Sequence, residues 1–100
     1  MEFTELIDLA SEKQASDIVM LDLRKVSLLA DFFVICSASS ERQLNAIQDG
    51  IVEELRNAEH RRPIRREGTA SSGWLLLDYG DVVVHVFAPE EREYYQLEDL

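Results

Sequence analysis

Residues 74–87 read Trp-Leu-Leu-Leu-Asp-Tyr-Gly-Asp-Val-Val-Val-His-Val-Phe, two apolar runs separated by one short glycine-containing connection. Branched and aromatic side chains favour extended backbone, and Gly80 supplies the positive backbone angle that a tight connection needs. The pattern predicts a β-hairpin with strands at residues 74–78 and 82–87, joined around Tyr79, Gly80 and Asp81. Pro89 suits the first turn of a helix, and Glu90, Glu91 and Glu93 lie where the helix dipole favours negative charge. Two further runs, residues 18–23 and 32–37, are nearly continuous in apolar residues, which fits a sheet covered on both faces by helices.

Between these strands lie the helix signals. Thr4 can cap a first helix that turns Leu6, Ile7, Leu9 and Ala10 toward the core and ends near residues 13–15. Residues 24–31 read as a connection with one helical turn. Ser40-Glu41-Arg42-Gln43 has capping-box spacing and opens the best helix in the chain. Its stripe is Leu44, Ile47, Ile51, Leu55 and Ala58, and it ends at residues 58–60. Residues 63–67 suit a short edge strand, because proline lacks a ladder donor. Residues 68–73 read as a mobile loop. With no repeat, low-complexity segment or linker, residues 1–100 form one domain of α/β (α+β) class. It has a mixed β-sheet of about five strands in the order α-β-β-α-β-β-β-α.

A hydrophobic content of 46% in 100 residues supports one core that needs no disulfide. The single Cys36 lies in an apolar run, where a thiol packs as a small hydrophobe, and a reduced compartment follows. No apolar stretch approaches the roughly 20 residues that cross a bilayer, and the acidic N-terminus does not suit a targeting signal. The expected setting is cytoplasmic, with no membrane partner and with an organellar homologue left open.

Twenty acidic against ten basic residues give a net charge of -10, which repels nucleic acid at long range and favours a basic partner. The charge is segregated. Arg61, Arg62, Arg65 and Arg66 supply four of the ten basic residues, whereas seven acids from Asp78 onward face only Arg92. Both runs fit a solvated surface; they also fit an acidic patch for a basic protein and an arginine loop facing RNA.

The chemistry-bearing residues favour binding over catalysis. Asp22, Asp31, Asp78 and Asp81 at strand ends could hold a divalent metal for nucleotidyl or phosphoryl transfer. The chain lacks the glycine-serine turn followed by paired carboxylates that such a site uses, and Asp78 and Asp81 read more simply as turn residues. His85 has no evident nucleophile or orienting carboxylate and is expected to be packed. The serines at residues 37–40 precede a helix N-terminus but lack the glycines and lysine of a phosphate loop. Trp74, Tyr79, Tyr94 and Tyr95 each combine a large apolar face with a polar donor, as interface anchors do. Tyr94 and Tyr95, about 100° apart on a helix, cannot both face inward.

Three blocks carry a resemblance. They are Ile18-Val-Met-Leu-Asp-Leu; Ala30-Asp-Phe-Phe-Val-Ile-Cys leading to Ser39-Ser-Glu-Arg-Gln; and Trp74 with Asp78-Tyr-Gly-Asp-Val-Val-Val-His-Val-Phe, then Arg92 and Tyr95-Gln-Leu-Glu-Asp-Leu. On these the chain resembles the Iojap family, the ribosomal silencing factors, from about Phe3 to Leu100. The resemblance implies a fold distantly similar to nucleotidyltransferases without their chemistry, hence no catalytic residue, metal or cofactor. It also implies a translational repressor, active under nutrient limitation, that binds the large ribosomal subunit through its fourteenth protein and blocks joining of the small subunit. The competing reading is a metal-dependent nucleotidyl or phosphoryl transferase. Tyr95, Asp78, Tyr79, Asp81, Tyr94, Glu98 and Asp99 are the expected partner-binding residues, with Trp74, Gly80 and His85 supporting them. Arg61, Arg62, Arg65 and Arg66 could touch ribosomal RNA, and two copies could pair as a homodimer. Family members commonly carry an aromatic residue just after the position of Leu100.

Overall fold

The computed structural model describes residues 3–99, apart from the side chains of Phe3, Thr4, Glu5 and Glu98. Its elements are α1 (Phe3–Glu12), β1 (Ser16–Asp22), β2 (Phe32–Ser37), α2 (Glu41–Glu59), β3 (Arg65–Thr69), β4 (Trp74–Asp78), β5 (Val82–Phe87) and α3 (Pro89–Tyr95), with short 3-10 turns at Ala70–Ser72 and Leu97–Asp99. The expected order holds. The five strands form one sheet in the order β1-β2-β5-β4-β3. The β2–β5 pair is parallel and the other pairs are antiparallel, so the sheet is mixed.

Strand alternation sorts the side chains onto two faces. Val34, Cys36, Leu75, Leu77, Val82, Val84 and Val86 meet Leu6 and Leu9 of α1 and Leu44, Ile47, Ile51 and Leu55 of α2 in the main core. A smaller cluster of Ala30, Leu76 and Val83, with Phe33 and Trp74, lies on the other face. The expectation of helices covering both faces needs correction: α1 and α2 share one face, and on the other the short α3 packs over one end. The parallel pairing of β2 and β5 demands a crossover, and α2 supplies it on a single side.

The hairpin forms as expected, with Trp74 opposite Phe87 and Asp78 opposite Val83. Ser40 caps α2 by accepting from the Gln43 amide. The return arm differs from a standard capping box: Gln43 Oε1 accepts from Ser39, while Nε2 donates to the Gln14 carbonyl, tying α2 to the end of α1. Four other expectations shift. Thr4 lies inside α1, so it does not cap it. Ala58 is exposed because the α2 stripe leaves the core at its last turn. The edge strand spans Arg65–Thr69. Residues 70–72, expected within a mobile loop, form a turn closed by a reciprocal Thr69–Ser72 capping box. Cys36 is buried, and burial pushes its thiol up to about 12, so it packs without reacting.

Candidate functional site

Most of the chain's aromatic side chains gather at one end of the hairpin, on the face away from α1 and α2. Trp74 and Phe87 are cross-strand partners, and His85 precedes Phe87 by two, so alternation puts all three rings on that face. Their planes are nearly parallel: ring centroids lie 6.2 Å apart for Trp74–His85, 6.3 Å for Trp74–Phe87 and 6.0 Å for His85–Phe87. Phe33 meets His85 edge-on at 4.7 Å. Tyr95 on α3 then lies 5.8 Å from Trp74 and 5.9 Å from Phe87, and Tyr94 packs against it at 5.1 Å. Tyr94 remains 80% exposed and Tyr95 49% exposed. Both tyrosines are therefore accessible on a supported platform.

Two devices hold α3 against this platform. Arg92 Nη1 donates to the Asp17 carbonyl at 2.6 Å and to Ser37 Oγ at 2.8 Å, clamping the helix to the ends of β1 and β2. Gly73 has φ 79°, and a Cβ there would collide with Glu91 and press on Ala88, so only glycine allows α3 to start this close to β4. The acids that accompany the tyrosines are Glu90, Glu93 and Asp99, all exposed. The side chain of Glu98, and Leu100, lie outside the described residues.

His85 is a packed residue, as its sequence context suggested. Trp74 Nε1–H donates to His85 Nδ1 at 3.2 Å, which leaves the proton of the neutral imidazole on Nε2. Nε2 is buried with no partner among the described residues. Burial pushes the imidazole down to about 4, so His85 is neutral near pH 7 and braces Trp74 as an acceptor.

The acidic turn lies at the other end of the same strands. Trp74 and Asp78 are four residues apart on β4, a strand path of about 13 Å. Asp78 Oδ1 accepts from the Gly80 amide at 2.8 Å, an Asx-type closure of the turn at φ 91°. Its other oxygen lies 3.6 Å from Arg65. Asp81 accepts from Arg61 Nη2 at 2.7 Å, and Arg61 also donates to the Tyr79 carbonyl at 2.9 Å. Burial raises the Asp81 pKa, but the Arg61 guanidinium and backbone amides outweigh it and hold the carboxyl below its usual range. Tyr79 is only 4% exposed and lies under Arg61, whose guanidinium is 5.5 Å from the ring centroid.

The expected binding set therefore divides. Tyr94 and Tyr95 share one end with Trp74 and His85, with Asp99 exposed in the turn that follows α3; Asp78, Tyr79, Gly80 and Asp81 form a separate, internally paired turn. Tyr79 is corrected from a presented ring to a core ring. Phe33, Phe87 and Arg92 were missed as parts of the platform. The alternation of Val83, His85 and Phe87 along one strand was the available signal for Phe87. Of the strand-end carboxylates, Asp22 is held by Arg24 at 2.6 Å and Asp81 by Arg61 at 2.7 Å. Among the described residues no group of three His, Cys, Asp or Glu side chains could hold a metal. No helix among them is long and apolar enough to cross a membrane.

Residues 2–100 match the family described as ribosomal silencing factor during starvation. A ribosomal silencing factor of Halalkalibacterium halodurans is 43% identical over 107 residues, covering 100% of this chain and 88% of that protein. The mouse protein named mitochondrial assembly of ribosomal large subunit protein 1 is 33% identical over 97 residues, covering 95% of this chain and 42% of its own length. A Chromobacterium violaceum crystal structure superposes with a TM-score of 0.85 at 35% identity, covering 99% of this chain and 85% of that one. The chain belongs to the ribosomal silencing factor family.

Proposed function

We propose that this chain represses translation by binding the large ribosomal subunit, through that subunit's fourteenth protein, on the face where the small subunit docks. The observation that carries the reading is the accessible Tyr94–Tyr95 pair, braced by Trp74 and Phe87 and surrounded by unspent acids. Aromatic anchors of this kind supply binding energy, and an acidic rim steers a basic ribosomal protein. Family membership and the large-subunit name of the mouse relative support the choice of partner. The mechanism is steric. A body of 31 × 28 × 22 Å seated at a subunit contact keeps the subunits apart without chemistry.

The protein acts where ribosomes are, in the cytoplasm of a bacterium, and represses most under nutrient limitation. Part of the arginine stretch gives a secondary contact to ribosomal RNA. Self-pairing into a homodimer competes for the exposed apolar side chains, and light scattering across concentration measures it. Sedimentation with purified subunits tests the main reading: the wild type comigrates with large subunits and lowers the fraction of joined ribosomes, while Tyr95→Ala does both more weakly. A wild type that leaves joining unchanged would sink the proposal.

A further inference from the structure

The four arginines of residues 61–66 do not act as one patch. Arg61 is committed to Asp81 and the Tyr79 carbonyl. Arg65, opposite Asp78 in the β3–β4 register, lies between Glu67 at 3.7 Å and Asp78 at 3.6 Å. Arg66 is opposite Leu77, a residue of the helix-side core, so alternation sends it to the face that carries α2. There Arg62 and Arg66 meet a third arginine, Arg56 of α2, around a cleft of about 340 Å³ completed by Val52 and Pro63.

The cleft is built by the end of α2. His60 takes a left-handed conformation with φ 53°, its amide donates to the Arg56 carbonyl, and the Arg61 amide donates to the Leu55 carbonyl. This is a left-handed (αL) closure with histidine in place of glycine, and it folds the chain back so that Arg62 and Arg56 line the same cleft. The segment is then pinned on both sides, by the Arg61 ion pair and by the Ile64 amide donating to the Asp78 carbonyl at 2.7 Å. Among the described residues Arg56 and Arg62 make no ion pair, and Arg66 has one, with Asp49 at 3.7 Å, where the Arg66 side chain is 46% exposed and that of Asp49 72%.

We infer that Arg56, Arg62 and Arg66 form a phosphate-binding cleft for the phosphodiester backbone of RNA. This deepens the ribosome reading and rests on it for the source of the RNA. Three arginines lining one hollow bring forked donors suited to phosphate oxygens, which accept two N–H groups per guanidinium. The cleft has no aromatic ring, so it holds backbone without stacking a base. A net charge of -10 repels RNA at long range, but a phosphate inside the cleft is within a Debye length of the arginines, about 8 Å at physiological salt. The contact therefore acts at short range, without long-range steering, and fixes the orientation of a molecule docked elsewhere.

The test is a nitrogen-15 NMR titration of the full chain, following arginine Nε–H signals with a 12-nucleotide RNA and, in parallel, with pyrophosphate. The expected result is RNA-induced shifts concentrated at Arg56, Arg62 and Arg66. In the double variant Arg62→Gln, Arg66→Gln, the slope of log affinity against log salt should flatten by about 0.7 per arginine removed. Arg65→Gln, on the opposite face, should titrate as wild type does. The proposal is overturned if RNA leaves the three signals unmoved, if Arg65→Gln weakens binding as much as the double variant, or if only pyrophosphate shifts them, which would make the cleft a free-oxyanion site. Amide spectra confirm that the variants fold. Large-subunit sedimentation of the double variant and of Tyr95→Ala is run beside it: loss of the RNA shifts with intact subunit binding removes the cleft alone, and RNA shifts without any subunit binding remove the docking reading alone.

Discussion

The two ends of the β4–β5 hairpin carry similar residues and use them in opposite ways. Each has a tyrosine, carboxylates and an arginine close by. At the turn the carboxylates are consumed: Asp81 holds Arg61, Asp78 closes the turn, and Tyr79 is buried under the guanidinium. At the far end the arginine is consumed instead, since Arg92 clamps α3 to the sheet and leaves Tyr94, Tyr95, Glu90, Glu93 and Asp99 facing water. Pairing, more than composition, decides which acidic aromatic cluster stays accessible. A carboxylate already bonded to its own guanidinium has little left to offer a second cation.

The largest effect is expected at Tyr79. Tyr79→Ala should destabilise the fold by about 3–5 kcal/mol, as other large-to-small core changes do, which a urea titration reads directly. A cost below about 1 kcal/mol would mean that the turn is not part of the core. The next effect is acid sensitivity at the other end. Folding holds the His85 pKa down, from 6.5 to about 4, so the unfolded chain takes the proton first as pH falls. The stability this contributes is complete above pH 6.5 and is lost as pH drops toward 4, an effect of about 3 kcal/mol. Denaturation midpoints of wild type should fall across that window, whereas those of His85→Phe should fall less.

Tyr95→Ala should weaken large-subunit binding by about 2 kcal/mol while changing folding stability by less than about 1 kcal/mol. Equal losses in both would place Tyr95 with the core residues. The smallest effect is expected from Arg61→Gln, which breaks a partly exposed pair: about 1 kcal/mol of stability in urea, with subunit affinity unchanged. A clear loss of affinity there would return the acidic turn to the binding surface.

Legibility in the sequence followed the range of the interactions. The α2 stripe, the Ser40 cap, Pro89 at the start of α3 and the hairpin around Gly80 are decided within a few residues and were all readable. The Thr69–Ser72 capping box is equally local, yet its serine-rich stretch between two glycines looked like loop. The capping return of Gln43 to Ser39 and Gln14 depends on where α1 ends, and no periodicity carries that. Arg56 was missed as a partner of Arg62 and Arg66 because a left-handed turn at His60 brings them together.

The sequence by itself determined the elements, their order, the mixed character of the sheet and the pool of aromatic and acidic residues from which a docking surface could be drawn. Which of those residues stay accessible depends on the tertiary structure. Five residues of extended strand carry Trp74 and Asp78 to opposite ends of the sheet, so neighbours in the sequence motif are separated in space. Arg61 and Arg92, remote in sequence from the groups they hold, settle which carboxylates and which tyrosines stay in water. Both outcomes depend on pairings across 20 and 75 residues, whose geometry exists only once the sheet has closed.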